Sequence, residues 1–333
     1  MTTRRPTVVQ VARRAGVSIA SVSRVLNGKA ARPDTTDRVR AAAAELGYLP
    51  DAAARSLKLG SGRQVTLAVD DIGNPVYSEL MQGVVDGLSG SGARLSIAST
   101  GQEPSELSAL VRNLSRGLAD GLVISPLRRS SELLRSLVDS PIPVVVVGNL
   151  ADAVPLDSVR IDSAGAVRLA YRHLQSMGAA RIAFVGGPPD TAPGSARLTA
   201  FRQLAQHDDG RVLVTGSFTV RSGERAWNKL AALSKAERPD AVLAANDLLA
   251  LGILRGALSA GVAVPEQLAV AGIDDITFAR VFSPALTSVS LRSRERGRLA
   301  AELLQHRMSE PSAPPQMRTV TPRLVVREST CRS

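Results

Sequence analysis

One cysteine, Cys331, is all that 333 residues contain, which excludes an internal disulfide and a multi-cysteine metal site. Aromatic residues make up 3%, so any Tyr, Phe or Trp at a strand end stands out. No run reaches the roughly 18 apolar residues that a membrane span requires. Thr7 to Ala15 is interrupted by Gln10, Arg13 and Arg14 where an export signal needs an apolar core. A cytoplasmic protein with no membrane partner is therefore expected. His173, His207 and His306, the full set of histidines, are not spaced as metal ligands, and no nucleophile–base pair, GxGxxG or Walker loop is visible. No cofactor, no metal and no enzymatic reaction are expected.

Acids are scarce at the N-terminal end. Residues 1–63 hold twelve lysines and arginines against four acids, which leaves +3 of the formal +11 for the other 270 residues. A positive end on a nearly neutral body suits a polyanion-binding head. There, Val8, Val11, Ala12 and Ala15 recur at helical spacing, and Gly16 supplies the left-handed residue that ends a helix cheaply. Ser18 is a natural N-cap for a second helix that turns Val22, Val25 and Leu26 inward and closes at Asn27-Gly28. Helix, three-residue turn, helix is the order of helix-turn-helix DNA readers. These need a small residue at the helix crossing, a glycine in the turn and a branched apolar residue inside the second helix; Ala12, Gly16 and Val22 occupy those places. A third helix is expected from about Thr35 to Leu46. A plain three-helix bundle with solvated arginines would share the pattern. The clustered charge favours DNA, as do Ser21, Ser23 and Arg24 on the outer face of helix two, where they can hold phosphates and reach base edges.

The segment from Val8 to Asn27, VVQVARRAGVSIASVSRVLN, resembles the signature of the LacI/GalR family of transcription regulators, and RVRAAAAELGYLP from Arg38 to Pro50 continues it in register. The resemblance implies double-stranded operator DNA as a partner. It puts Ile19 and Ala20 at the first base-reading positions and Arg24 at a later one, within a contact set of Thr7, Ser18, Ile19, Ala20, Ser21, Ser23, Arg24, Asn27 and Thr36. After Pro50, Asp51 can cap a short helix to Leu57, and Gly60-Ser61-Gly62 is a flexible joint. A helix that short does not persist alone in water. In the family it is a hinge, and by that likeness Ala54, Arg55 and Leu57 meet DNA, with Leu57 wedged between base pairs in the minor groove.

From Val65 onward, short β-branched runs recur at 65–69, 95–98, 121–124, 144–147, 182–185, 212–214, 241–244 and 268–273. Helical stretches such as 78–88, 107–118, 164–177 and 248–260 lie between them. The alternation predicts parallel sheets covered on both faces. The expected fold is α/β: an all-α helix-turn-helix head (1–50), a hinge and linker (51–63), then a periplasmic-binding-protein-like body of two doubly wound lobes. By the family's form, the lobes comprise 64–162 with 291–320 and 163–290 with 321–330. Segment 298–308 reads as one helix and 318–327 as a last strand. No leucine heptads follow, so a homodimer is expected.

Ligands of such sheets lie at the carboxyl ends of strands. The strand-end candidates are Tyr77 and Phe218 for an apolar face, and Arg197, Asn246 and Asp274 for hydroxyls. Asp247 is read as a helix cap. Thr191 and Pro193 stand where the purine-binding branch has an arginine and a threonine, which favours a sugar effector over a nucleoside or purine. Induction and corepression both fit, with repression implied by the family. A secreted solute-binding protein would share the body but lack the basic head, and an enzyme would need a catalytic constellation.

Overall fold

In the computed structural model, the described residues are 7–26, 31–46, 63–100, 104–151, 154–205 and 211–331. The chain divides into two compact units, Met1–Arg63 and Gln64–Ser333. Asn27 and the hinge positions Ala54, Arg55 and Leu57 lie outside the described residues.

The first unit contains α1 (Val8–Ala15), α2 (Ile19–Leu26) and α3 (Pro33–Glu45). Thr7 closes a capping box: its hydroxyl oxygen accepts the Gln10 N–H at 3.4 Å, and its own N–H donates to Gln10 Oε1 at 2.7 Å. Gly16 ends α1 at φ 63°. Ser18 Oγ accepts the Ser21 N–H at 3.2 Å and so caps α2. Val11, Val22 and Val39 bring one fully buried valine from each helix into a single small core. Helix α3 begins two residues before Thr35 because Pro33 suits the first helical position.

The second unit has two six-stranded sheets. The first contains β1 (Gln64–Val69), β2 (Arg94–Ser99), β3 (Gly121–Ser125), β4 (Val144–Val147), β5 (Asp157–Ile161) and β11 (Met317–Val320), in the order β11-β5-β4-β3-β1-β2. The second contains β6 (Ile182–Gly186), β7 (Val212–Val214), β8 (Ala241–Ala244), β9 (Ala269–Asp274), β10 (Thr287–Ser290) and β12 (Arg323–Val325), in the order β12-β10-β9-β8-β6-β7. Only β12, antiparallel to β10, breaks the parallel pattern among the described pairs.

Strand periodicity sorts the first lobe's core. Val65, Leu67, Val69, Val123, Val145 and Val147 face α4 (Val76–Leu88) and α12 (Ser293–Ser309). Their alternates Ala68, Leu122, Ile124, Val144 and Val146 face α5 (Pro104–Asn113) and α6 (Ser131–Val138). In the second lobe α7 (Ser163–Ser176) packs with α8 (Ala192–Leu204), and α9 (Val220–Ala231) with α10 (Asp247–Ser259). A short α11 (Thr277–Val281) follows β9.

Helices α4 and α12 meet backbone to backbone. A Cβ on Gly83 would overlap the Arg294 carbonyl, and one on Gly297 the Leu80 carbonyl. Gly83→Ala is expected to cost about 3 kcal/mol, since the helices must separate. Adding Gly297→Ala should cost less than its single effect, because the gap is already open. Urea unfolding of the three variants checks both.

The structure departs from the expected elements in five places. Segment 318–327 is two strands in different sheets, parted at Thr321-Pro322, where proline has no N–H for a ladder. The expected 298–308 helix begins at Ser293. The 107–118 stretch is α-helical only to Asn113 and ends in a wider π-type turn, Leu114–Leu118. Strands β5 and β10 had no apolar run to announce them: β10 reads Thr-Ser-Val-Ser, with Thr287, Ser288 and Val289 buried. Its polar groups are satisfied internally, Thr287 N–H by Ser329 Oγ at 2.8 Å and Ser288 Oγ by Asp247 at 2.6 Å. Finally, the 186–197 loop ends early, because Thr191 caps α8 on the Gly194 N–H with Pro193 in the first turn.

Candidate functional site

Two surfaces qualify, one on each unit. On the head, Ser18, Ile19, Ala20 and Arg24 are exposed along α2, with Ser21 and Ser23 half-buried beside them. Ile19 leaves 46% of its surface in water, an unfavourable exposure that an apolar base edge such as a thymine methyl would cover. Thr7 and Thr36 already hold the protein's own backbone: Thr7 caps α1, and Thr36 Oγ1 donates to the Arg32 carbonyl at 3.2 Å.

On the body, an open cleft lies where the carboxyl ends of both sheets face each other. All five ligand candidates line it: Tyr77 after β1, Phe218 after β7, Asn246 after β8, Asp274 at the end of β9, and Arg197. Arg197 reaches the cleft from the second turn of α8. Its guanidinium donates to the Ala245 carbonyl and to Asp274 Oδ1, the latter at 3.4 Å, and so ties the ends of β8 and β9 together. Phe218 lies so tightly over Gly187 that a Cβ there would enter the ring.

The Asn246-Asp247 pair divides its work differently from the sequence expectation. Asn246 is the α10 cap, its Oδ1 accepting the Leu249 N–H at 3.0 Å. That leaves its amide NH2 to offer to a ligand. Asp247 is fully buried behind the cleft, accepting from Ser288 Oγ and, at 2.9 Å, from the Ile276 N–H. The Ile276 bond, Ser288 Oγ on the Asp275 N–H (3.0 Å) and Arg327 on the Asp275 carboxylate hold a strained turn. In it Asp274 and Asp275 sit at φ 120° and 58°.

Sequence reasoning missed Arg129, Asn149 and Arg296, which also line the cleft. The strand-end rule could have found the first two, which follow β3 and β4. Arg296 follows β10, whose polar composition hid it. Arg296 is buried, held by the Leu291 carbonyl at 3.0 Å and Ser293 Oγ at 2.7 Å. Burial lowers its pKa to about 10, with Asp274 pulling upward and Arg197 pushing downward. Burial raises the Asp274 pKa, opposed by the charges of Arg197 and Arg296. Burial also raises that of Tyr77, with Asp70 adding to the shift and a hydrogen bond with Ser125 opposing it.

Among the described residues, polar contacts join the lobes beside the cleft. Arg128 Nε donates to Asp190 Oδ2 at 2.6 Å, the Ala192 N–H to the Leu127 carbonyl at 2.9 Å, and Arg280 approaches Glu79 at 3.9 Å.

Asp247 predicts a pH dependence. Burial raises its pKa well above the usual range, and Asp274 adds to the shift. An acid that is protonated when folded and ionised when unfolded makes folding take up a proton. Its contribution therefore favours the fold at low pH and weakens as pH rises from the unfolded pKa of about 3.9 through the raised folded value. Asp247→Asn keeps one acceptor without an ionisable proton. It is expected to flatten that decline, measured as melting temperature against pH relative to the parent.

Residues 7–51 match the profile of bacterial regulatory proteins of the lacI family, and residues 171–330 that of the periplasmic binding protein-like domain. The chain is 35% identical to the HTH-type transcriptional regulator CelR of Thermobifida fusca, covering 98% of each chain. It is 33% identical to the ribose operon repressor of Escherichia coli K12, covering 97% of this chain and 99% of that one. A solved CelR–cellobiose complex superposes with a TM-score of 0.72 at 34% identity, covering 98% of this chain and all of the other.

Proposed function

Because this chain belongs to the LacI family of bacterial transcription regulators, we propose that it grips a near-palindromic operator as a homodimer and changes that grip when a sugar-class effector enters the body cleft. It is a ligand-responsive, sequence-specific DNA-binding regulator with a helix-turn-helix head and an effector-binding body. Among the described residues no helix is long and apolar enough to cross a membrane. In this reading it represses genes of carbon-source use. Residues 1–50 read DNA and 51–63 form a hinge that brings Ala54, Arg55 and Leu57 to the minor groove. The lobes are 64–162 with 291–320 and 163–290 with 321–330.

One observation carries the effector part. Arg197, Asn246 and Asp274 reach a single cleft from three separate stretches of chain, with Tyr77 and Phe218 beside them. Donors, an acceptor and aromatic faces in one cleft suit a ring bearing hydroxyls. The relatives point the same way, since one is named for a ribose operon and another is solved with cellobiose. A dimer sets two α2 helices one or more helical turns apart, hence the near-palindrome. The effector acts by binding the DNA-competent and DNA-incompetent states unequally.

Fragment selection with the purified full chain tests the reading. One genomic fragment should be held roughly a thousandfold or more above random DNA, with affinity falling steeply in salt. The effector should change that affinity by roughly 5- to 150-fold. No preference for any fragment, with or without candidate sugars, would refute the proposal.

A further inference from the structure

The charges in the cleft do not balance. Arg129, Arg197 and Arg296 line it against one carboxylate, Asp274. Asp274 lies 3.4 Å from Arg197, so that guanidinium has its counter-charge. Arg296 is buried and is held by a carbonyl and a hydroxyl, oxygens that satisfy N–H groups without supplying negative charge. Arg197 also buries an Nε N–H that has no acceptor. The neighbouring polar side chains of the cleft (Asn74, Ser125, Asn149, Ser163 and Asn246) are neutral.

Two buried guanidiniums, Arg197 and Arg296, share the single carboxylate of Asp274, and the positive charge left over is costly in a buried site. A neutral sugar would satisfy Arg197, Asn246 and Asp274 through its hydroxyls but leave the excess positive charge where it is. A ligand with its own negative charge would remove the excess and gain charge-assisted hydrogen bonds, about twice as strong as neutral ones.

Resting on the reading of the cleft as the effector site, we propose that the effector is an anionic carbohydrate. Its hydroxyls are read by Arg197, Asn246 and Asp274, and its carboxylate or phosphate is drawn to Arg296, with Arg129 adding to the field.

Calorimetric titration of the full chain with matched sets tests this. Each set contains a neutral sugar (glucose, galactose, ribose or arabinose), its sugar acids and its sugar phosphates. One anionic member should bind more tightly than its neutral parent, and added salt should weaken the anion alone. Whether the acid or the phosphate wins identifies the anionic group. Arg296→Gln should lower affinity for that anion by roughly ten- to hundredfold and change affinity for the neutral parent far less. If Arg296→Gln fails to fold, Arg129→Gln decides by the same comparison, since Arg129 is exposed.

A neutral parent that binds as well as its anionic derivatives, or an anion insensitive to both substitutions, overturns the proposal and leaves the effector cleft standing. Failure of every set to bind overturns the effector reading as well, and the proposal with it.

Discussion

Val22→Asp is expected to abolish selective operator binding while leaving ligand binding by the body intact. Val22 is fully buried where α2 packs against α1 and α3, in a core whose buried members, among the described residues, are all valines and alanines, with Leu26 and Leu46 packed against it. An aspartate there has no donor or counter-charge to meet. The unpaired charge costs several kcal/mol, comparable with the total of about 3–5 kcal/mol that so small a core supplies. The head should therefore unfold rather than distort. Loss of the ordered α2 face removes base reading, so operator affinity falls to the non-specific level, a drop of roughly a thousandfold or more. The body is a separate compact unit with its own cores, and its ligand titration should match the parent's. Gel-shift and calorimetric measurements on one preparation check both halves. Selective binding by the folded variant would show that α2 is not the reading element.

Arg197→Ala is expected to have the larger effect on the cleft. The side chain is buried and spans Ala245 and Asp274, so its removal strips the ligand of a charged donor and leaves Asp274 buried near Arg296 alone. Breaking a buried pair costs about 3 kcal/mol or more. Losing charged hydrogen bonds to a ligand lowers affinity by roughly a hundredfold. Arg197→Ala with Asp274→Asn should recover part of the stability, because the stranded carboxylate is gone, and none of the affinity. Urea unfolding and titration separate the two. Restored affinity in the double variant would mean that the arginine only neutralised Asp274 and never touched ligand. Arg197→Lys should not rescue, since a point charge cannot bridge a carbonyl and a carboxylate as a planar fork does.

Much of this was legible in the residues. The helix-turn-helix depends on local rules that leave marks in a short window: a capping threonine, a left-handed glycine and a capping serine. Most body strands show as short β-branched or apolar runs, as strands of parallel sheets covered on both faces do, and β3, β4, β6, β8 and β9 are buried almost throughout. Strand ends then pointed to Tyr77, Phe218, Asn246 and Asp274. What could not be read depends on distant partners. Strand β10 is polar and buried because Ser329 and Asp247 satisfy it, and neither is near it in sequence. Arg296 inherits that invisibility. The roles of Asn246 and Asp247 also turned on three-dimensional reach: either can cap a helix, and only the fold reveals which one faces Ser288.

Both sheets are completed by residues near 320: β11 forms an edge of the first and β12 of the second. Helix α12, which covers the first sheet opposite α5 and α6, also comes from this late region. During synthesis, neither lobe can close until the chain has been made almost to that point, while the contacts of α1–α3 are all local and form within the first fifty residues. Long-range closure is slow and local closure fast. A ribosome stalled midway would thus display a formed three-helix head on a body that cannot yet respond to any effector.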